Sequence, residues 1–291
     1  PYEIYRVAAT TKIDQVIFYP LEDRGAAQGR FQAGEIQYYN DVPTDQLKFI
    51  RANLKDSFRL APYLGTYYFV FNTRKAPFSD ARVRQALSLV IDREFLAEEI
   101  WGGTMLPAYS FVPPGIGNYG APAEMAGKDL SPIEREDRAK ALLKEAGFAD
   151  TNNDGRLEKN GHPFVFTIIT NQGNPLREKT AQIIQQRLNQ LGITVKIRII
   201  EWTVFLKEYV DKGNFDAVLL GWNILQDPDL FNVWHSSQAV KGGLNFVGYR
   251  DAEVDDLLVR GRETFDENKR RQCYFRFQEI LADQQPYVFL Y

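Results

Sequence analysis

The stretch FVFTIITNQGNPLREKTAQIIQQRLNQLGITVKIRIIE, from Phe164 to Glu201, restricts the fold more than any other. Apolar and β-branched residues crowd FVFTIIT, a helical pattern with Ile184, Leu188 and Leu191 on one face follows, Gly192 breaks it, and ITVKIRIIE resumes a strand pattern. A strand, a helix and a strand at this spacing form a crossover, which is right-handed and leaves its two strands parallel. An α/β fold is expected.

The same grammar continues through TVFLKEYVDKG, a short helix, and FDAVLLGW, a buried strand. Two helices, DAEVDDLLVRGRETF and ENKRRQCYFRFQEILADQ, and the strand YVFLY close the chain. Upstream, FSDARVRQALSLVIDREFLAEEIW reads as one helix capped by Ser79 or Asp80, with Val83, Leu87, Val90 and Ile91 as its apolar stripe. IEREDRAKALLKEAG is a second helix, closed by Gly147. Between them, residues 104–130 are rich in Pro and Gly and read as a long irregular excursion.

At the amino end, IDQVIFYPLED and IQYYN are expected strands flanking a helix, RGAAQGRFQAGE, that Gly34 ends. PTDQLKFIRANLK follows as a helix with Thr44 as its N-cap, and FRLAPYLGTYYFVFNT as two strand-like runs hinged at Gly65. The expected fold class is a mixed sheet flanked by helices.

Composition narrows the function. With 291 residues, 44% hydrophobic and 25% charged, the chain has material for one large domain or two smaller ones. A formal charge of -3, with lysines and arginines dispersed, leaves no footprint for nucleic acid or an anionic membrane. The single cysteine, Cys273, sits in a helical pattern as a small hydrophobe and cannot form an internal disulfide. No apolar run approaches the roughly 18 residues that cross a bilayer. The chain opens at Pro1 and stops in a strand pattern, so it reads as a piece of a longer protein, and the lack of a leader does not argue for the cytoplasm.

Motifs of catalysis are missing. The two histidines, His162 and His235, lie far apart, and neither G-x-S-x-G, a phosphate-cradling glycine loop nor paired Cys or His at metal spacing is present. DTNNDGRLEKNG, residues 150–161, resembles the first half of a calcium loop: Asp150, Asn152, Asp154 and Gly155 fall in place, and Glu158 offers another oxygen. Position 12 is Gly161, which lacks the closing carboxylate, and a strand follows the loop. The expectation is an Asx-rich turn leading into a hairpin with KNGH at its tip, no metal and no cofactor.

What remains is a set of aromatics at strand ends: Trp202 after IRIIE, Trp222 after DAVLL, and Tyr63, Tyr67 and Tyr68 around Gly65. Ligands of open α/β sheets sit beyond the carboxyl ends of the strands, and Trp and Tyr offer apolar area with a polar tip. Each alone is as readily core; together they point to a binding cleft.

TYYFVFNTRKAPFSDARVRQALSLVIDREFL then makes a specific comparison possible. An aromatic strand ending in Asn-Thr, followed by Pro-Phe-x-Asp-x-Arg-Val-Arg-x-Ala-Leu and Ile-Asp-Arg, resembles the oligopeptide and dipeptide substrate-binding proteins of ABC transporters, the family 5 extracellular solute-binding proteins. PAYSFVPPG, AKALLKEAGF, FDAVLLGW with DPD, and EILADQQPYVFLY repeat the resemblance in order along almost the whole chain. It implies a lobe of the type II periplasmic-binding fold, residues 1–63 being a partial piece of the first lobe and 64–291 the second. It also implies an extracytoplasmic protein, periplasmic or at the cell surface, with lipid anchoring of the full-length protein left open. Such a protein, taken as a monomer, carries a peptide or other small solute to ABC permease subunits without catalysis. An oligosaccharide or another non-peptide solute is the alternative, and a hydrolase a more remote one.

By the same resemblance, Tyr63, Tyr67, Trp202, Trp222, Asn223, Leu225 and Asp227 line the cleft. Peptide-binding members carry an Asp at the place of Leu225, for the ligand's α-ammonium, and some carry an Arg at that of Leu219. A cystine of some members has its places at Gly65 and Asn223. Asp227 or Asp229 in QDPDLF offers a substitute carboxylate, although the same residues suit a helix N-cap.

Overall fold

The computed structural model describes residues 12–21, 23–40, 42–61, 64–113, 116, 119, 127, 129–224 and 227–291. They fall into two compact units, Pro1–Arg59 and Leu60–Tyr291.

In the first unit, helix α1 (Arg24–Gln32) starts where Asp23 accepts the Ala26 N–H at 2.7 Å and stops before Gly34, as expected. A 3-10 turn at Thr44–Gln46 leads into α2 (Leu47–Asn53); Thr44 lies inside that turn, which has no side-chain cap. The two expected strands are not formed. Residues 12–20 and 36–40 are irregular, and Ile13, Val16, Ile17 and Phe18 are exposed, Phe18 at 88%. A strand needs a neighbour for its ladder and for its apolar face, and no described residue of this unit supplies one.

The second unit is built on a five-stranded sheet in the order β5-β4-β6-β1-β7, with β1 at Gly65–Phe71, β4 at Val165–Asn171, β5 at Thr194–Ile200, β6 at Ala217–Asn223 and β7 at Tyr287–Phe289. β4 runs parallel to β5 and β6, whereas β1 is antiparallel to β6 and β7, so the sheet is mixed. The crossover is as the sequence demanded: β4, helix α6 (Pro175–Gln190) and β5, with Asn174 capping α6 and Gly192 turning at φ +86. A Cβ on Gly192 would stand 3.0 Å from the Gly155 carbonyl, which is why glycine is needed there.

Alternation in the strands sends side chains to two apolar layers. Phe69, Phe71, Ile168, Val195, Leu219 and Val288 pack under α3 (Ala81–Leu89), α4 (Arg93–Trp101), α5 (Pro132–Glu145) and α6. Tyr68, Val70, Val218, Leu220, Tyr287 and Phe289 face the other layer, with α8 (Phe231–Trp234), α9 (Ala252–Glu263) and α10 (Glu267–Gln284). Trp234 is wholly buried there, and Cys273 is buried on α10. The short α7 (Trp202–Val204) continues as a π-helix, Phe205–Val210, and a two-stranded hairpin of β2 (Glu158–Lys159) and β3 (His162–Pro163) follows the Asx-rich turn.

The single helix expected over residues 79–101 is two. α3 ends at Leu89, and Asp92 caps α4 by accepting the Phe95 N–H at 2.9 Å. The interruption lets the polar residues of this motif reach buried carbonyls. Arg84 donates Nε and Nη2 to Gln284 O and Nη1 to Phe78 O, closing the carboxyl end of α10. Arg93, 1% exposed, donates to Phe289 O at 2.7 Å, Ser88 Oγ at 2.8 Å, Ser88 O at 3.2 Å and Ile91 O at 3.3 Å. Asn72, just after β1, donates Nδ2 to Gly213 O and Phe215 O and accepts from Arg74. These residues are scaffold.

Candidate binding site

β4, β5, β6 and β7 point the same way and β1 the opposite way, so four carboxyl ends and the amino end of β1 meet at one edge of the sheet. That rim gathers Gly65, Asn171, Glu201, Trp202, Trp222, Asn223 and Tyr291, which is where open α/β sheets bind ligands.

On the α6 face, Tyr67 is half-buried against Trp101 and Tyr291, with ring centroids 5.6 and 5.3 Å away. The Arg177 guanidinium stands 5.3 Å from the Tyr67 ring. Its Nη1 donates to Asn171 Oδ1, while its Nε is buried and has no hydrogen-bond partner. Trp101, Tyr291 and Arg177 escaped the sequence reading. Trp101 reads as a helix end, Tyr291 as a chain end, and Arg177 as one charge on an amphipathic helix; only the tertiary fold brings them to one place.

On the other face, Trp222 lies 6.3 Å from Tyr68 and 6.2 Å from Phe246. Tyr68 itself is fully buried, so of the two tyrosines within β1 only Tyr67 is left at the rim. Trp202 is 46% exposed and stacks on Phe205 at 5.9 Å. It is held by its neighbour: Glu201 accepts the N–H groups of Thr203 and Val204 at 2.9 and 3.0 Å, and these bonds keep its carboxyl below the ordinary glutamate value.

Asn223 pairs directly with Gly65 across β6 and β1, so the two positions singled out in sequence are neighbours in register. Leu219 is buried against the α6 side of the sheet. Asp227 is exposed and ion-paired to Arg270 at 2.7 Å, and Asp229 to Arg262 at 2.8 Å. Tyr63 and Leu225 lie outside the described residues.

Elsewhere among the described residues, the Asx-rich turn and the segment around His235 are held by their own bonds. Asp150 accepts the N–H groups of Asp154 and Gly155, Asn152 that of Asp154, and Asp154 that of Arg156. The carboxylates of Asp150, Asp154 and Glu158 lie within 4.8 Å of one another, and each has a role in this turn; Glu158 accepts from Thr151. His235 Nδ1 accepts the Ser237 N–H at 3.1 Å and Asp255 accepts from Ser236, which are caps rather than a nucleophile and its base. A cavity lined by Pro77, Asp80, Phe148, Lys159, His162 and Phe164 is at the opposite, amino end of β4.

Residues 2–242 match the family described as bacterial extracellular solute-binding proteins, family 5 (middle). The chain belongs to this family. It is 37% identical to the oligopeptide-binding protein AppA of Bacillus subtilis, over 96% of this chain and 50% of that one. It is 31% identical to a probable deoxycholate-binding periplasmic protein, YgiS, of Escherichia coli, over 99% and 51%. Among solved structures, AppA of B. subtilis in complex with a nonapeptide superposes with a TM-score of 0.77 at 36% identity, covering 93% of this chain and 53% of that one. The murein tripeptide-binding protein MppA of E. coli gives 0.79 at 26% identity, covering 94% and 51%. The expected fold, a type II periplasmic-binding lobe with a mixed sheet, is thereby established for this chain, which spans about half the length of the curated relatives it matches.

Proposed function

We infer that this chain is part of an extracytoplasmic solute-binding component of an ABC importer, holding a peptide-like solute against the carboxyl rim of its sheet for delivery to the permease. The observation that carries the reading is the rim itself: Tyr67, Trp101, Trp202 and Trp222 present aromatic area, and Asn223 and Arg177 present polar groups, on one edge of a rigid sheet. Residues 64–291 act as the second lobe and 1–63 as a piece of the first. The site makes and breaks no bond. The protein works as a monomer outside the cytoplasm, and its peptide-like cargo follows from the oligopeptide-binding relatives named above.

Arg177 gives the reading its chemistry. Leu219, where some peptide-binding members carry an Arg, faces the same side of the sheet as α6, and α6 supplies Arg177 in its first turn. A guanidinium stacked on Tyr67 with a buried, unbonded Nε is suited to a carboxylate of the solute, since the tyrosine face and Asn171 hold it in advance.

Titration of the complete protein with alanine-rich peptides, followed by tryptophan emission, tests this. Trp202→Ala is expected to weaken binding about tenfold or more, as loss of a central aromatic contact does, with the melting temperature unchanged because the side chain is half exposed. Arg177→Gln should weaken free-carboxyl peptides more than their amides. Peptide affinity unmoved by either change, or recovery of a sugar as the co-purifying solute in native mass spectrometry, overturns the reading.

A further inference from the structure

Beyond β6 the chain turns through residues 227–231, and two arginines reach across from α9 and α10 to hold it. Asp227 Oδ1 accepts from Arg270 Nη2 at 2.7 Å and from the Asp229 N–H at 2.9 Å. Asp229 Oδ2 accepts from Arg262 Nε at 2.9 Å and lies 2.8 Å from Nη2, while its Oδ1 accepts the Phe231 N–H at 3.2 Å. Arg270 is fixed independently of the acids. Arg270 Nε donates to Gly261 O at 3.0 Å, and its guanidinium lies 5.5 and 5.6 Å from the Tyr119 and Tyr274 rings. Arg262 sits 4.3 Å over Phe231.

These carboxylates follow the rim strand, and charge alone would make them the natural partners of a peptide's α-ammonium. Each is already committed twice, to a guanidinium and to a backbone N–H, and the Arg270 hydrogen bond holds the Asp227 carboxyl below its ordinary value. An arginine braced on aromatic rings and a carbonyl gives up little further freedom on pairing. An incoming ammonium must shed its hydration to meet an acid whose charge that guanidinium already balances. Glu201, at the end of β5, already accepts the Thr203 and Val204 N–H groups.

We propose that Arg262 and Arg270 make this rim indifferent to a solute's amino group, so that a peptide binds as well with its amino terminus blocked as free. The inference rests on the peptide-binding reading above. Arg262 and Arg270 are then specificity-determining residues that never touch the solute: they position residues 227–231 and neutralise the two acids that would otherwise select for an amine.

Calorimetric titration of the complete protein with alanine-rich peptides, each free and N-acetylated, tests it. The two forms should agree within about threefold, and an about tenfold loss on acetylation, ~1.4 kcal/mol, overturns the proposal. Arg270→Gln should release Asp227 and make the free form the tighter of the pair, and an unchanged ratio in that variant also overturns it. The ratio is unaffected by a general loss of binding. Asp227→Asn, which keeps its oxygen acceptor, should leave the ratio of the parent protein unmoved; a shift shows that Asp227 already holds the amine. If neither form of any peptide binds, the peptide reading itself falls.

Discussion

Replacing Arg93 with Met removes a buried charge and keeps most of the volume, so it asks what that charge does. The guanidinium reaches four oxygens from Ser88, Ile91 and Phe289, binding the α3–α4 junction to the last strand, and its ring partner is Tyr109 at 5.3 Å. The two short bonds, at 2.7 and 2.8 Å, each carry the roughly 1.5–3 kcal/mol of a charge-assisted bond, and the longer pair adds little. Against this stands the cost of burying the ion, several kcal/mol, which Met does not incur. The buried acceptors left behind cost about 1–3 kcal/mol each, so we expect a net loss of about 3 kcal/mol. For a unit of this size that lowers the melting temperature by about 6–12 °C. All four tryptophans lie in the second unit, so urea unfolding followed by their fluorescence reports on this unit, with the midpoint falling and the slope unchanged. Arg93→Lys should fall between, because one ammonium cannot fan out to acceptors on separate segments. A Met variant within about 0.5 kcal/mol of the parent, or more stable, would mean that burial of the ion is a net cost and that the four bonds do not offset it. A second signature is available in alkali. Burial, the largest influence, pulls the Arg93 pKa down to about 10, with Tyr109 and Glu94 opposing. Between there and the ordinary arginine value the unfolded chain binds more protons, so stability rises with pH, and the Met variant should lack that rise.

Gly248→Ala is expected to cost about 2 kcal/mol in the same urea assay, because φ is +76 and the new Cβ would stand 2.6 Å from the Arg74 stem that ties Asn72 to Phe246 O. Asp80 accepts the Arg82 N–H as cap of α3, and the bonded Arg82 guanidinium holds its carboxyl below the ordinary value. Its contribution is therefore present above the unfolded carboxyl pKa and lost as pH falls through the depressed one. Asp80→Asn should flatten the acid limb of the stability profile and Asp80→Ala should cost about 1 kcal/mol at neutral pH. Asp150→Ala withdraws the acceptors of two backbone N–H groups and should cost about 1 kcal/mol by thermal melting, equally in chelator and in calcium if the loop acts as a turn.

The crossover of residues 164–201 was legible because it is local: each strand, the helix and its Gly192 stop carry their own periodicity, and handedness leaves one arrangement. Trp202 and Trp222 were legible as rim residues for the same reason, since a strand that ends tells where its last side chains stand. The break between α3 and α4 was not, because Val90 and Ile91 continue an apolar stripe, and it is the pull of buried carbonyls on Arg93, with Asp92 as cap, that favours two helices. Likewise IDQVIFYPLED has the composition of a strand, and composition cannot provide the neighbour a strand needs.

The class of the fold, the order of its elements and the family are legible along one chain, because they depend on periodicity and on motif spacing. Tertiary structure alone decided that Tyr67, Trp101, Tyr291 and Arg177 meet, and that Asp227 and Asp229 face arginines 43 and 33 residues away. A charge or a ring has no meaning for binding until its partners are known, and pairing across such distances is set by the packing of whole elements against a sheet.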